Sequence, residues 1–146
     1  MVHTKGEDAA ELFRNGWSCS QAVVCAFAKD FGIDEMSALK LSCGLGGGMG
    51  HTGNTCGAVS GALMVIGMKY GRTTLEDLAS KEKTYELAQQ FMKEFRRRNH
   101  SITCTDLLTY DLSDPEKLKA AREAGVFKTV CPRLVRDAGD ILETLL

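Results

Sequence analysis

Residues 55–70 read Thr-Cys-Gly-Ala-Val-Ser-Gly-Ala-Leu-Met-Val-Ile-Gly-Met-Lys-Tyr. The only charge in this stretch is Lys69, next to its end, and Gly71 follows as a stop signal. A run of this length that is apolar nearly all round is a helix buried on every side rather than a surface helix with one apolar stripe. The rest of the chain must then supply partners for it. The expected fold is all-α: a compact bundle of about six to eight helices around a buried central helix at about 55–70.

Outward from that helix, the pattern stays helical. There are only 2 prolines, and no alternation is long enough to support a sheet. On the N-terminal side a helix is expected at about 7–14, closed by Asn15-Gly16. Ser18 then caps a second helix and Gln21 completes a capping box. Ala22, Val23, Ala26 and Phe27 form its apolar face, and Gly32 ends it. Asp34 caps a third helix through Ser42. On the C-terminal side Thr74 is expected to cap a long helix to about Arg98, with Phe91 and Phe95 one turn apart. A short helix covers 104–108. Asp114-Pro115 opens another that Gly125 ends, and a last helix begins at Cys131-Pro132. No repeat, linker or low-complexity tail interrupts the 146 residues, so the chain, 1–146, is expected to form one domain.

Composition narrows the function classes. Apolar residues make up 44% and charged residues 25%, with a formal net charge of −1. That balance argues against nucleic acid as a partner, which requires a basic face. The cluster Lys93, Arg96, Arg97 and Arg98 closes a helix, where the dipole favours positive charge. Ala62 to Met68 is too short to span a bilayer. The polar start from Met1 to Asp8 has no signal-peptide core, so a cytoplasmic location is expected. In that setting the 6 cysteines point to redox or metal chemistry before permanent staples.

Cys19 follows the cap Ser18, Cys56 opens the central helix, Cys104 precedes Thr105-Asp106, and Cys131 precedes Pro132. All four therefore fall at helix starts, where free N–H groups and the positive dipole end gather. A thiol so placed is expected to have a lowered pKa, and thiolate is both nucleophile and metal ligand. Packing is the competing reading for any single cysteine. Cys25, mid-helix, is read as core, and Cys43 as a secondary candidate. No Cys-x-x-Cys pair occurs, so any site must be assembled from distant segments.

Between helices lies Gly44-Leu45-Gly46-Gly47-Gly48-Met49-Gly50-His51-Thr52-Gly53-Asn54. Its Gly48, Gly50 and Gly53 match Gly-x-Gly-x-x-Gly, but a helix precedes it where the dinucleotide fingerprint requires a strand. A glycine-dense loop at a helix start can still hold an anion or cofactor closely, or simply allow a sharp turn. Gly47, Gly48 and Gly50 are the candidates here. In the central helix Gly57 and Gly61 share a face, and each costs about 0.8–1.0 kcal/mol against Ala. Close approach of a helix, of a flat cofactor or of a second copy in a homodimer would offset that. His51 and His100 flank cysteine-bearing segments and carry no assigned role.

The segments Asn15-Gly16-Trp17-Ser18-Cys19-Ser20-Gln21, Gly46-Gly47-Gly48-Met49-Gly50, Cys56-Gly57-Ala58-Val59-Ser60-Gly61, Cys104-Thr105-Asp106-Leu107-Leu108 and Cys131 together resemble the C_GCAxxG_C_C family of redox-active proteins. The family label places Gly before the central Cys, whereas here Cys56 precedes Gly57. The resemblance spans nearly the whole chain. It implies a small helical protein whose characteristic cysteines match Cys19, Cys56, Cys104 and Cys131. It also implies kinship with part of the split-Soret cytochromes, which carry haem and an iron–sulfur cluster, although no Cys-x-x-Cys-His haem-attachment motif occurs here.

Three functions are then open. Thiol–disulfide exchange or electron transfer, with an unknown redox partner, uses the four cysteines as reactive thiols. A zinc ion or iron–sulfur cluster uses the same four as ligands. A non-catalytic interaction module leaves them packed and mutually distant. Long-range placement decides among these.

Overall fold

The computed structural model describes residues 3–146; Met1 and Val2, the first of the polar start, lie outside the described residues. The helices are α1 (Lys5–Arg14), α2 (Cys19–Ala28), α3 (Glu35–Ser42), α4 (Gly57–Tyr70), α5 (Leu78–Asn99), α6 (Cys104–Leu108), α7 (Pro115–Ala124) and α8 (Cys131–Leu145). Short turns at Cys43–Leu45, Gly46–Met49 and Val126–Thr129 complete the path. The fold is all-α, as expected, and no strand forms among the described residues.

The caps follow the sequence with two exceptions. Ser18 and Gln21 form the reciprocal box of α2, and Asp34 and Asp114 cap α3 and α7. The first helix starts earlier than expected, because Thr4 and Glu7 form a second capping box. The long helix starts later: Asp77, not Thr74, accepts from the Ser80 N–H. A carboxylate is the stronger acceptor at a positive helix end.

Helix α4 lies at the centre, with Val59, Ala62, Val65 and Ile66 fully buried. It packs against α2, α5 and α8, and the shared core includes Val23, Phe27, Leu134, Val135 and the pair Phe91–Phe95, whose rings stack at 5.9 Å. The glycines of α4 serve this packing. A Cβ on Gly61 would stand 3.0 Å from the Ser20 carbonyl oxygen, and one on Gly57 would stand 3.1 Å from the Cys19 Cβ. Close approach of a helix, the first of the causes expected from sequence, is therefore what Gly57 and Gly61 accommodate, and Gly57 also borders a cavity that the four cysteines line. Cys25 sits half-buried beside a satellite cluster of Val24, Ala28 and Ala38.

One short pairing positions the site. Thr55 and Thr103 form an isolated antiparallel bridge. Cys56 N–H donates to the Ile102 carbonyl at 2.8 Å, and Cys104 N–H donates to the Asn54 carbonyl at 2.7 Å. The starts of α4 and α6 are thereby tied side by side. No helix among the described residues is long and apolar enough to cross a membrane.

Two of the three glycines of α4 should respond with opposite sign. Gly61→Val drives a branched side chain into the α2 backbone and should lower stability by about 1–3 kcal/mol. Gly67→Ala, where nothing lies within 4 Å of the new Cβ, should raise it by about 0.8–1.0 kcal/mol. Urea unfolding of both variants checks the pair; loss of stability in both would contradict this packing.

Candidate functional site

Each of the four cysteines opens a helix. Cys19, Cys104 and Cys131 are the first residues of α2, α6 and α8, and Cys56 is the cap residue of α4. All four line one cavity of about 630 Å³. The α2–α4 approach brings Cys19 to Gly57, and the Thr55–Thr103 bridge brings Cys56 to Cys104. Cys131 arrives from the far end of the chain and packs with Cys104 and Cys19. The mutually distant sulfurs expected of purely packing cysteines are therefore not found.

The glycine loop closes part of the wall. Gly47, Gly48 and His51 line the cavity; Gly50 and Gly61 do not. Residues 47–51 all have positive φ, between 63° and 69°, so this stretch winds as a left-handed turn. Glycine does this freely, while Met49 and His51 each carry a strain of about 1–2 kcal/mol. Gly50 N–H donates to the Gly46 carbonyl at 2.8 Å and Asn54 N–H donates to the Gly48 carbonyl at 2.9 Å, which hold the turn. A Cβ on Gly48 would lie 2.6 Å from the Cys104 Cβ, so only glycine lets the loop touch that cysteine.

The remaining wall was not read from sequence. Phe13, Trp17 and Phe127 supply aromatic surface, and Leu107, Leu108 and Leu134 aliphatic surface. Arg14 and Lys128 add positive charge. A signal for one of these existed: the only tryptophan, Trp17, immediately precedes the capping Ser18 and Cys19. Of the other candidates, Cys43 is exposed and outside the cavity. His100 also lies outside it and ends α5 in the left-handed conformation.

The four thiols do not share one electrostatic setting, contrary to the uniform lowering expected of helix starts. Burial pushes Cys56 up to about 11, against hydrogen bonding from the Ala58 and Val59 N–H groups. Burial pushes Cys104 up to about 12, with Cys56 and Cys131 adding to it. Cys19 is raised well above the ordinary thiol value by its hydrogen bond to Cys131, then by burial. Cys131 alone is lowered, by that same hydrogen bond from Cys19, against burial. The two thiols titrate as a coupled pair, with Cys131 the more readily ionised. Their protons belong to the couple and not to either residue.

A model of the family described as "Putative redox-active protein (C_GCAxxG_C_C)" matches residues 17–145. The chain belongs to the C_GCAxxG_C_C family. The matched span contains all four cavity cysteines. Comparison with curated proteins and with solved structures finds no match.

Four cysteines are also the donor set of zinc and of iron–sulfur clusters. The side chains as placed do not fit either group. Among the described residues no three His, Cys, Asp or Glu side chains are grouped closely enough to hold a metal ion.

Gly48→Ala tests the contact of loop and thiol. It forces a side chain into a left-handed position against Cys104, and should destabilise the protein by about 2 kcal/mol or more. Thermal unfolding is the check. Unchanged stability would show that the loop does not press on Cys104.

Proposed function

We propose that this C_GCAxxG_C_C protein works by thiol–disulfide exchange, with Cys131 as the attacking thiolate and Cys19 as the resolving thiol. The observation that carries this reading is that Cys19 and Cys131 pack together at the wall of a cavity large enough for a small molecule, with Cys131 the thiol whose ionisation is favoured. A thiolate stabilised by a neighbouring thiol is the reactive form at neutral pH.

The step balances as follows. The Cys131 thiolate attacks one sulfur of a bound disulfide, forms a mixed disulfide and releases the first thiolate. Cys19 gives up its proton, to that leaving thiolate or to water, and attacks the Cys131 sulfur. The second thiolate leaves, and the Cys19–Cys131 disulfide forms. The protein loses two electrons and the substrate gains them. Cys56 and Cys104 form a second, slower pair. Their starts are tied by the Thr55–Thr103 bridge, and they can accept the disulfide from Cys19–Cys131 by exchange once one of them ionises.

Oxidation of the fully reduced protein in a glutathione redox buffer, followed by thiol counting and peptide mapping, tests this. The expected result is loss of two of the 6 thiols and a Cys19–Cys131 linkage as the first product. Cys131→Ser should abolish that linkage and slow thiol loss about tenfold or more. Six free thiols at equilibrium in an oxidising buffer would overturn the proposal. So would a purified protein in which bound iron or zinc protects all four cavity cysteines.

A further inference from the structure

The charge on the cavity wall goes beyond what thiol exchange alone requires. The chain has 19 carboxylate side chains against 18 lysines and arginines, yet no Asp or Glu lines the cavity, while Arg14 and Lys128 do. Neither Arg14 nor Lys128 forms an ion pair among the described residues, although Lys5, Arg97, Arg98 and Lys119 each do. Both are exposed, so their charges stand in solvent at the edge of a wall that, apart from Ser18, His51 and the cysteines, is largely apolar. Trp17 is 38% exposed there, a large aromatic face left uncovered beside Cys19. The starts of α2, α4 and α8 add positive potential of the same sign.

We infer that the cavity selects small anionic disulfides, those carrying a carboxylate within a few bonds of the disulfide sulfur, with Arg14 and Lys128 holding the carboxylate. The inference rests on the exchange reading above and adds the substrate class to it. A guanidinium suits a carboxylate because its paired N–H donors match the two oxygens, and an ammonium adds a point charge. The aromatic wall takes the apolar remainder of the molecule. The same cations draw an anionic disulfide towards the cavity mouth by long-range attraction. In the overall step the protein dithiol and the anionic disulfide become a Cys19–Cys131 disulfide and two small anionic thiols.

A charge series separates this from unselective exchange. The reduced protein is mixed with dithiodipropionate, bis(hydroxyethyl) disulfide or cystamine, which are anionic, neutral and cationic at neutral pH and have equal spacers. Each rate of protein thiol loss is divided by that disulfide's rate with dithiothreitol, which removes intrinsic reactivity. The normalised rate for dithiodipropionate should exceed that for cystamine by about tenfold or more at low salt, and the ratio should fall as salt is raised. In Arg14→Gln/Lys128→Gln the ratio should move most of the way to one. Equal normalised rates, or a preference for cystamine, would overturn the anion selectivity and leave thiol exchange standing. No reaction with any of the three would overturn the exchange reading itself.

Discussion

The site depends on a pairing of two short backbone segments. The Thr55–Thr103 bridge, with the Cys56 and Cys104 N–H groups donating across it, fixes two helix starts together. Thr105 reinforces it, since its N–H and its hydroxyl both donate to the Gly53 carbonyl. Without this pairing, α4 and α6 would meet only through core contacts, which set distance but not which ends face each other. The bridge also pulls the glycine loop inward, because Gly53 and Asn54 belong to both. The left-handed turn at 47–51 then follows as the way for the chain to pass from α3 to this pairing while lying against Cys104.

Placing four thiols at helix starts around one cavity sets up a contest between dipole and burial. A helix start stabilises a negative charge by about 0.3–1 kcal/mol, less than one pKa unit at about 1.36 kcal/mol per unit. Loss of solvent raises a buried thiol by up to about 3–5 units. Burial therefore wins at Cys56 and Cys104. Cys131 is the exception because a neighbouring thiol donates directly to it. A hydrogen bond from Cys19 offsets burial there as the helix start alone does not elsewhere. Of the four cavity thiols, Cys131 is thus the one whose ionisation is favoured.

The helices and the four cysteine positions were legible in the sequence because they rest on local signals. Ser18 with Gln21, Asp34 and Asp114 announce helix starts through short-range hydrogen bonds, and the apolar run at 55–70 announces burial. The Thr55–Thr103 bridge was not legible, since a single bridged pair leaves no alternating pattern. The positive φ of Met49 and His51 was hidden for a similar reason: glycine density marks a turn but not its hand. Arg14, Phe127 and Lys128 flank Cys19 and Cys131 in the chain, but no local pattern marks them as facing the cavity, and only the fold shows it. The expectation of uniformly lowered thiol pKa values failed because the sequence shows a helix start but not how deeply it is buried.

The central claim is that the Cys19–Cys131 couple gives up a proton before the other cavity thiols, with Cys131 the favoured thiolate. Ultraviolet thiolate absorbance followed from acid through neutral to alkaline pH measures it directly. The account predicts one thiolate per chain already formed below the ordinary thiol range, absent from Cys131→Ser and shifted upward in Cys19→Ala, where the donor is gone. Cys19→Ser, which keeps a hydroxyl donor, should retain most of the early step. If no thiolate forms until the ordinary thiol range, or if the early thiolate survives in Cys131→Ser, the shared proton and the exchange mechanism built on it are wrong.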